Sequence, residues 1–234
     1  MTTPSVPTAY RDQRAQEYDD RRFTSPAGLA IAAAESALFR AALGAVPAGA
    51  HLLEVGCGTG RFLLTAFEAG FRCEGLDPSP DMLELVRGKL GKRATEVTLR
   101  LGEGAQLPYT DGAFDFTYSI RVLNQVGRAD YALAMVRDLL RVVRPGGLVL
   151  IEFANRWRPH RGGPDVRLSP AEVLATAATA GGRLRWLRGT FALGMTAYWR
   201  APGALLPMVS AADRALSRAV PRLCARCYAL IEKA

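Results

Sequence analysis

The sequence predicts an α/β protein in which a doubly wound, largely parallel sheet carries helices on both faces. Strand and helix patterns alternate between residues 51 and 153, and the strand patterns are short apolar runs. A glycine-rich turn joins the first of these strands to the helix that follows it. Such alternation favours parallel strands, because each helix returns the chain to the same edge of the sheet.

The elements of this alternating part have local signals at their ends. Gly44 and Gly70 are typical helix stops. Ser79 can cap the helix that follows the second strand, and Pro80 suits its first turn. The segment "RPGG" (144–147) is expected to turn the chain before the fifth strand. The predicted strands are 51–55, 71–77, 96–101, 113–120 and 148–153, and the predicted helices are 27–44, 61–70, 80–90 and 130–143.

After Phe153 the pattern is looser. A loop rich in Arg, Gly and Pro (154–167) precedes a predicted helix at 170–180 and strand at 183–193, and a strand at 227–233 ends the chain. Residues 194–222 lie between these last two strands and are predicted to form a lid-like insertion, since long excursions over a sheet edge are often functional. Within it, 207–220 is predicted to be an amphipathic helix with the apolar stripe Val209, Ala212, Leu216 and Val220.

The composition indicates a globular protein. The chain of 234 residues is 49% hydrophobic and 22% charged, and it has no apolar run of about 18 residues, so no transmembrane helix is expected. The charged first 25 residues lack the apolar segment of a signal peptide, which predicts a cytoplasmic location. Cys224 and Cys227 form a CxxC without the second pair that zinc would need, so packing cysteines and no metal site are predicted.

The positive charge is concentrated in the last third of the chain. Residues 156–234 carry a net charge of +9, whereas residues 1–155 carry −1. Such an excess can attract nucleic acid, a membrane surface or an acidic substrate. It can equally be a solvated face that reflects a bias toward arginine, and the sequence leaves both readings open.

The glycine turn lies within "LLEVGCGTGRF" (52–62). A dinucleotide fingerprint G-x-G-x-x-G would place its third glycine at position 61, but Arg61 stands there and the third glycine comes one residue earlier, at Gly60. Glu54 precedes Gly56 by two residues, where a carboxylate would repel a pyrophosphate and attract an ammonium group. The turn therefore favours a zwitterionic ligand, with a carboxylate on the backbone amides of the turn or helix start.

A second acidic residue follows the second strand. Asp77 lies 21 residues past Gly56, where an acid suits the two hydroxyls of a ribose. Ligands of such sheets bind outside the carboxyl ends of the strands, where the strand order reverses. The glycine turn, Asp77 and the ends of the fourth and fifth strands are all expected at that edge.

Four stretches, in order, resemble the motifs of class I S-adenosylmethionine-dependent methyltransferases. The chain is similar in particular to the small-molecule branch with ubiquinone/menaquinone-biosynthesis-like enzymes and a methyltransferase type 11 domain. The stretches are "LLEVGCGTGRF", "EGLDPSPDML" (74–83), "LGEGAQLPYTDGAFDFTYSIRVLNQV" (101–126) and "LRVVRPGGLVLIE" (140–152). The resemblance covers about Tyr18 to Glu152. It implies a Rossmann-like sheet of seven strands with an antiparallel last strand, and S-adenosyl-L-methionine as the cofactor.

The resemblance also implies roles for individual residues. The glycines of the turn would let the backbone approach the methionine part of the cofactor, and Glu54 would lie near its amino group. Asp77 would accept hydrogen bonds from both ribose hydroxyls. Glu103, where most relatives have Asp, would bind the adenine amino group. The implied cofactor-binding set is Glu54, Gly56, Cys57, Gly58, Gly60, Asp77, Pro78, Met82, Glu103, Gly104 and Ser119.

Three residues are catalytic candidates on the acceptor side. Arg121 follows the fourth strand, where the chain would pass the transferable methyl group. His160, in the loop after the fifth strand, is either a general base or a solvated loop histidine. Tyr18 resembles an aromatic residue that closes over the cofactor. Residues 1–25 are accordingly predicted to be a cover segment, and 26–234 a single methyltransferase domain.

The functional hypothesis is methyl transfer to a small, apolar or aromatic metabolite. The apolar insertion carries Tyr198 and Trp199, and the sequence has no recognisable nucleic-acid module. Alternatives are an RNA-modifying methyltransferase that uses the basic C-terminal third, and a cofactor-binding protein that does not catalyse. Peripheral membrane contact through 207–220 can accompany the first hypothesis. The acceptor atom and the oligomeric state are left open.

Overall fold

The computed structural model describes residues 24–158 and 165–234, which form a seven-stranded sheet covered by helices on both faces. The strands are β1 (His51–Val55), β2 (Arg72–Asp77), β3 (Thr98–Leu101), β4 (Phe114–Ser119), β5 (Val143–Ala154), β6 (Gly182–Thr190) and β7 (Arg226–Lys233). The helices are α1 (Pro26–Leu43), α2 (Arg61–Glu68), α3 (Pro80–Leu90), α4 (Ala129–Val142), α5 (Pro170–Thr179), α6 (Met195–Arg200) and α7 (Leu206–Ala219). Short 3₁₀ turns occupy Gly91–Glu96, Gly203–Leu205 and Pro221–Leu223.

The strand order creates a ligand crevice at the centre of the sheet. The order is β3-β2-β1-β4-β5-β7-β6, with β1 to β5 paired in parallel and β7 antiparallel to both of its neighbours. From β1 the chain moves outward to β2 and β3, and it then returns to the other side of β1 as β4. Ligands of such sheets bind at this reversal. The predicted fold class, including the antiparallel last strand, is confirmed.

The core lies on both faces of the sheet. Leu52 and Leu53 are consecutive in β1, so their side chains point to opposite faces, and each is buried in a different apolar cluster. The cluster around Leu52 includes Phe39 of α1, and the cluster around Leu53 includes Leu139 of α4. Burial on both faces explains why β1 reads as a nearly continuous apolar run. Glu54 is the polar residue in that run.

Three helices begin with a serine cap followed by proline. Ser25, Ser79 and Ser169 accept hydrogen bonds from backbone N–H groups of the first turns of α1, α3 and α5. Ser169 also forms a reciprocal capping box with Glu172. Each such cap contributes about 1 kcal/mol to helix stability. The predicted cap at Ser79 is confirmed, and it fixes the start of α3 directly after Asp77.

Two strand boundaries differ from the prediction by three residues or more, and one helix was not predicted. β5 begins at Val143, and "RPGG" forms a bulge within it, between the pairs Phe114–Val143 and Phe116–Leu148. Gly147 permits this, because an added Cβ would lie 2.7 Å from the carbonyl oxygen of Asp115 on the neighbouring strand. β6 ends at Thr190, because Phe191 turns the chain with a φ of 63°. The short helix α6 was not predicted, because its six residues show no helical periodicity of apolar side chains.

The predicted apolar stripe of α7 is wrong. The buried residues of this helix are Leu206, Asp213 and Ser217, whereas Ala212 and Leu216 are exposed. The reason is that the Asp213 carboxylate accepts hydrogen bonds from the backbone N–H groups of Phe191 and Leu193, at 3.0 and 2.8 Å. The buried side of α7 therefore carries Asp213 and Ser217 beside Leu206, and only Val209 of the predicted stripe packs against the apolar cluster around Phe191.

Helix α1 is long and apolar enough to cross a membrane, by length and composition only. Core helices meet the same criterion. Its buried residues include Ile31 and Phe39, and Glu35, which forms an ion pair with Arg61 of α2. These contacts place one side of α1 in the core of the sheet.

Candidate active site

The glycine turn connects β1 to α2 with its backbone held against β2. The backbone N–H groups of Gly56 and Cys57 both donate to the carbonyl of Leu76, at 2.7 and 3.2 Å. Gly56, Gly58 and Gly60 all have positive φ, of 77°, 51° and 82°. A side chain would strain the backbone at each of these positions. The turn is thereby fixed at the carboxyl ends of β1 and β2, as predicted.

The glycines of the turn serve two different purposes. A Cβ added at Gly56 would overlap Val122 Cγ2, and one added at Gly60 would lie 2.9 Å from Val86 Cγ2, so these glycines allow close packing. A Cβ added at Gly58 would meet no atom within 4 Å. The space beside Gly58 is therefore open to a ligand, while its N–H donates to the Asp77 carboxylate.

Asp77 at the end of β2 faces this turn. Its Oδ2 accepts a hydrogen bond from Gly58 N–H at 2.8 Å, and its Oδ1 accepts one from Ser79 N–H at 2.9 Å. Burial raises the pKa of Asp77 to about 6, although these two hydrogen bonds oppose the shift. Each oxygen keeps a further lone pair. The ionised carboxylate can thus accept two more hydrogen bonds, as many as a ribose diol donates.

Glu54 lies beneath the turn and is almost completely buried. Burial raises its pKa well above the ordinary value, and the nearby charge of Arg61 opposes this shift. The Leu63 N–H and the Tyr118 hydroxyl lie near this carboxyl group, but within the described residues neither forms a hydrogen bond of normal geometry with Glu54 Oε2. A buried acceptor without a partner is unfavourable, and an ammonium group would satisfy it. Glu54 therefore fits the predicted contact with an amino group.

Glu103 completes the acidic side of the site. It follows β3, and its Oε2 accepts a hydrogen bond from the Tyr131 hydroxyl of α4 at 2.7 Å. Burial and this carboxylate together raise the pKa of Tyr131 to about 12, so the phenol remains a donor. An added Cβ at the neighbouring Gly104 would overlap Met135 Cε, which shows how closely α4 packs here. Tyr131 was not among the predicted residues.

The remaining predicted cofactor positions surround the same turn. The Cys57 thiol is buried, and burial raises its pKa well above the ordinary value, so the thiol stays protonated. Met82 is buried on α3, and Pro78 lies between Asp77 and the cap of α3. The Ser119 hydroxyl donates to Val55 O at 2.9 Å, which uses its one hydrogen and ties β4 to β1. Toward a cofactor, Ser119 can only accept.

Arg121 lies in a buried network of charges that the sequence did not predict. Its backbone has a φ of 67°, an unfavourable value for a residue with a side chain. Its N–H donates to Glu152 Oε2 at 2.7 Å, and its guanidinium lies 3.5 Å from Glu35 Oε1. Glu152 also pairs with Arg226 at the start of β7, at 2.8 Å. The network fixes the chain after β4 at the edge of the site.

Other predicted acceptor-side residues are placed differently. Tyr18 and His160 lie outside the described residues. Gln125, which was not among the predicted candidates, donates its side-chain amide to Arg121 O and supports the turn after β4. Tyr198 is buried with its hydroxyl on Asp213, and Trp199 is exposed. Cys224 and Cys227 are free and buried, and within 24–158 and 165–234 no cluster of His, Cys, Asp or Glu could hold a metal ion.

The sheet and the site together define a class of protein. A dinucleotide would meet Arg61 where its fingerprint requires glycine, and it would meet the buried carboxylate of Glu54. The zwitterion-binding turn, the acids after β2 and β3, and the antiparallel β7 are the features expected of class I methyltransferases. Residues 53–151 match the family model described as "Methyltransferase domain". The matched residues contain the whole turn, Asp77 and Glu103, and together with the fold they support a class I S-adenosylmethionine-dependent methyltransferase.

Relatives and solved structures agree with this assignment. The chain is 38% identical over 114 residues to demethylmenaquinone methyltransferase of Tropheryma whipplei, covering 48% of this chain and 46% of that one. It is 37% identical over 148 residues to malonyl-[acyl-carrier protein] O-methyltransferase of Serratia marcescens, covering 59% and 55%. The chain thus spans about half the length of these curated relatives.

A solved structure shows the fold over nearly the whole chain. Geranyl diphosphate C-methyltransferase from Streptomyces coelicolor A3(2), in complex with Mg²⁺, geranyl diphosphate and S-adenosyl-L-homocysteine, superposes with a TM-score of 0.65. The superposition covers 99% of this chain and 90% of that one, at 15% sequence identity. At this identity the likeness shows the fold. The cofactor of the family is S-adenosyl-L-methionine, and the open turn, the unpaired Glu54 oxygen and the Asp77 carboxylate fit its amino acid and ribose parts.

Replacement of Asp77 by asparagine is expected to weaken cofactor binding. An amide cannot replace both acceptor oxygens, and hydrogen bonds to a charged group contribute about 1.5–3 kcal/mol each. Asp77→Asn should therefore raise the cofactor Kd by roughly ten- to a hundredfold in isothermal titration calorimetry. Asp115→Asn is the matched control, because Asp115 also accepts a backbone N–H but lies at the opposite end of β1. An unchanged Kd in the Asp77 variant would contradict the ribose role.

Cofactor affinity is expected to fall at acidic pH. Because the pKa of Asp77 in the free protein is raised to about 6, the carboxylate is ionised at pH 7 and mostly protonated at pH 5. If only the ionised form binds ribose, the Kd rises by about tenfold between pH 7 and pH 5. Titrations across this range test the prediction. The Kd of the Asp77→Asn variant should depend less on pH than the Kd of the wild-type protein. An equal pH dependence of the two Kd values would show that a group other than Asp77 titrates.

Proposed function

We propose that this protein transfers the methyl group of S-adenosyl-L-methionine to a small, apolar or aromatic metabolite. The observation that carries the proposal is the juxtaposition of Glu54, the open space beside Gly58 and Asp77 at the reversal of strand order. This set offers acceptors for an ammonium group and for the two ribose hydroxyls, with room between them for the rest of an amino acid. Glu103 and Gly104 extend the same site beyond β3, where the adenine would lie.

The chemistry requires positioning more than acid–base groups. When bound, the cofactor supplies a methyl group on a sulfonium, which is already activated for displacement. Alignment of the acceptor therefore supplies much of the rate. The protein's contribution is a rigid site: the Glu35, Arg121 and Glu152 network holds the chain after β4, and the Gln125 amide supports the same turn.

A general base is needed only for acceptors that lose a proton. Neither Gln125 nor the guanidinium of Arg121 can accept one at neutral pH. We propose His160 as this base. We also propose that residues 1–25, with Tyr18, cover the site and that 194–222 act as a lid. The cytoplasmic location also remains a prediction.

Relatives support a small-molecule acceptor. The Tropheryma relative is named for demethylmenaquinone, and a Rauvolfia serpentina relative, 29% identical over 110 residues, is named for norajmaline. The insertion supports an apolar acceptor, because it presents large apolar side chains such as Trp199 near the carboxyl edge of the sheet. The basic C-terminal third keeps RNA as the second candidate acceptor.

Transfer of a labelled methyl group tests the proposal. The full chain is incubated with methyl-labelled cofactor and, separately, with a panel of quinol, phenol and alkaloid acceptors and with bulk tRNA. Label in one or more of the small molecules is the expected result, and the Asp77→Asn variant is the low-activity control. Label in tRNA alone would contradict the proposal. Cofactor binding without transfer to any acceptor would favour a non-catalytic binding protein.

A further inference from the structure

Helix α7 exposes an apolar face to solvent. Met208, Ala212 and Leu216 are four residues apart, so they share one side of α7, and the exposed Leu205 directly precedes the helix. We call these four residues the apolar face of α7. Met208 is 69% exposed, Leu205 47% and Leu216 39%. Large apolar side chains that share an exposed face indicate an interaction surface, whereas isolated ones do not.

The orientation of this face is fixed by buried polar contacts on the opposite side of α7. Asp213 accepts hydrogen bonds from two backbone N–H groups at the end of β6 and from the Tyr198 hydroxyl, at 3.0 Å. Ser217 accepts one from Ala192 N–H at 3.3 Å. Rotation of α7 to bury Met208 and Leu216 would break these bonds and leave buried groups unpaired, which is costly. The packing of α7 therefore keeps the apolar face exposed to solvent.

The charges around the apolar face have one sign. Residues 194–222 contain four exposed arginines, Arg200, Arg214, Arg218 and Arg222, and a single acid, the buried Asp213. Every exposed charge of the insertion is therefore positive. Trp199 is 51% exposed on the preceding helix α6 and adds an amphipathic aromatic side chain. Exposed Leu, Met and Trp with flanking arginines are typical of helices that lie in the interface of an anionic membrane.

The same surface lies near the active-site edge of the sheet. β7 is antiparallel to both β5 and β6, so β5 and β6 run in the same direction. The insertion follows the carboxyl end of β6, and the glycine turn follows the carboxyl end of β1. Because all these strands end at one edge, a surface that binds the insertion also lies close to the entrance of the site.

We propose that the insertion docks this protein onto an anionic lipid bilayer, with the apolar face of α7 inserted and its arginines on lipid phosphates. Charge complementarity argues for lipid over a second copy of the chain, since self-association would bring eight exposed arginines together without exposed acids. The aliphatic face argues against RNA, because Leu and Met do not stack on bases as aromatic residues do. This inference is independent of the proposed acceptor.

Co-sedimentation with vesicles tests the proposal. The full chain is mixed with vesicles of phosphatidylcholine alone or with about 30 mol% phosphatidylglycerol. We expect the chain to bind only the vesicles that contain phosphatidylglycerol, and to bind them less as salt is added. Met208→Ser/Leu216→Ser should weaken binding by at least roughly tenfold, and Arg214→Gln/Arg218→Gln by roughly 30-fold.

Matched variants separate docking from general loss of apolar surface or charge. Leu184→Ser removes an exposed leucine from β6, and Arg72→Gln/Lys92→Gln removes two exposed charges elsewhere, and both should bind as wild type. Far-UV circular dichroism and cofactor titration establish that each variant is folded.

The proposal would be overturned if the wild-type chain did not bind anionic vesicles, or if Met208→Ser/Leu216→Ser bound them as tightly as wild type. It would also be overturned if the wild-type chain were a dimer that this double variant dissociates, because the apolar face would then be a protein interface. Salt-dependent binding to tRNA without binding to vesicles would assign the arginines to RNA instead.

Discussion

Gly56→Ala is expected to lower cofactor affinity by at least about a hundredfold, because displacement of a binding loop by about 1 Å can have an effect of this size. The new Cβ would overlap Val122 Cγ2 and lie 3.0 Å from Cγ1. The φ of 77° is also unfavourable for alanine. The turn would therefore move away from Val122, and the bond from Gly58 N–H to Asp77 would be disturbed. Isothermal titration calorimetry with S-adenosyl-L-methionine measures the loss.

Two further variants separate the overlap from the backbone strain. Gly49→Ala has the same unfavourable φ, at 72°, but its Cβ would meet nothing within 4 Å and lies before β1. It should lose stability without losing cofactor affinity. Gly56→Ala/Val122→Ala removes the overlap and should regain affinity to within about tenfold of wild type. A Gly56→Ala protein that is folded and binds cofactor normally would contradict the account of the turn.

Arg226→Met is expected to destabilise the protein by about 3–5 kcal/mol, because it leaves the buried carboxylate of Glu152 without its cation. Both side chains are nearly inaccessible, and Nε of Arg226 lies 2.8 Å from Oε1 of Glu152. The guanidinium also donates to Asn124 Oδ1 at 3.3 Å. Urea unfolding measures the free-energy change.

The double variant Glu152→Gln/Arg226→Met should recover part of this stability, since neither side chain then carries a charge. Arg183→Met is the control for loss of an exposed ion pair, here with Glu232, and should change stability by about 0–1 kcal/mol. Equal effects of Arg226→Met and Arg183→Met would show that the buried pair contributes no more than a surface one.

The sequence predicted the fold well because periodicity and turn residues act locally. Apolar runs such as "HLLEV", the cap at Ser79 and the stop at Gly70 each follow from a few neighbouring residues. The antiparallel last strand came from family resemblance, since periodicity contains no strand direction. The limits of β5 and β6 were misplaced, because they depend on the approach of Gly147 to β4 and on the backbone of Phe191.

The placement of the proposed cofactor-side residues could be predicted for a similar reason. Glu54, the glycines and Asp77 lie within 24 residues and form one strand, turn and strand unit. The charge network was not predicted, because Glu35, Glu152 and Arg226 are far apart in sequence. A single acid in each of the apolar stretches "AAAESALF" and "LVLIEF" was the available signal, since a buried charge requires a partner.

The orientation of α7 was mispredicted for a physical reason. An apolar stripe predicts the buried side only when the core is what the helix packs against. Here α7 packs against backbone N–H groups at the end of β6, so Asp213 and Ser217 face inward and Leu216 faces outward. Sequence periodicity cannot distinguish these cases without knowledge of the neighbouring chain.

The most direct test of the account is calorimetric titration of the full chain with S-adenosyl-L-methionine at pH 7. We expect one site per chain, with affinity reduced in Asp77→Asn, reduced further in Gly56→Ala, and retained in Asp115→Asn and Gly49→Ala. The absence of binding to the wild-type chain, or binding that Gly56→Ala and Asp77→Asn leave unchanged, would contradict the assignment of this turn as the cofactor site.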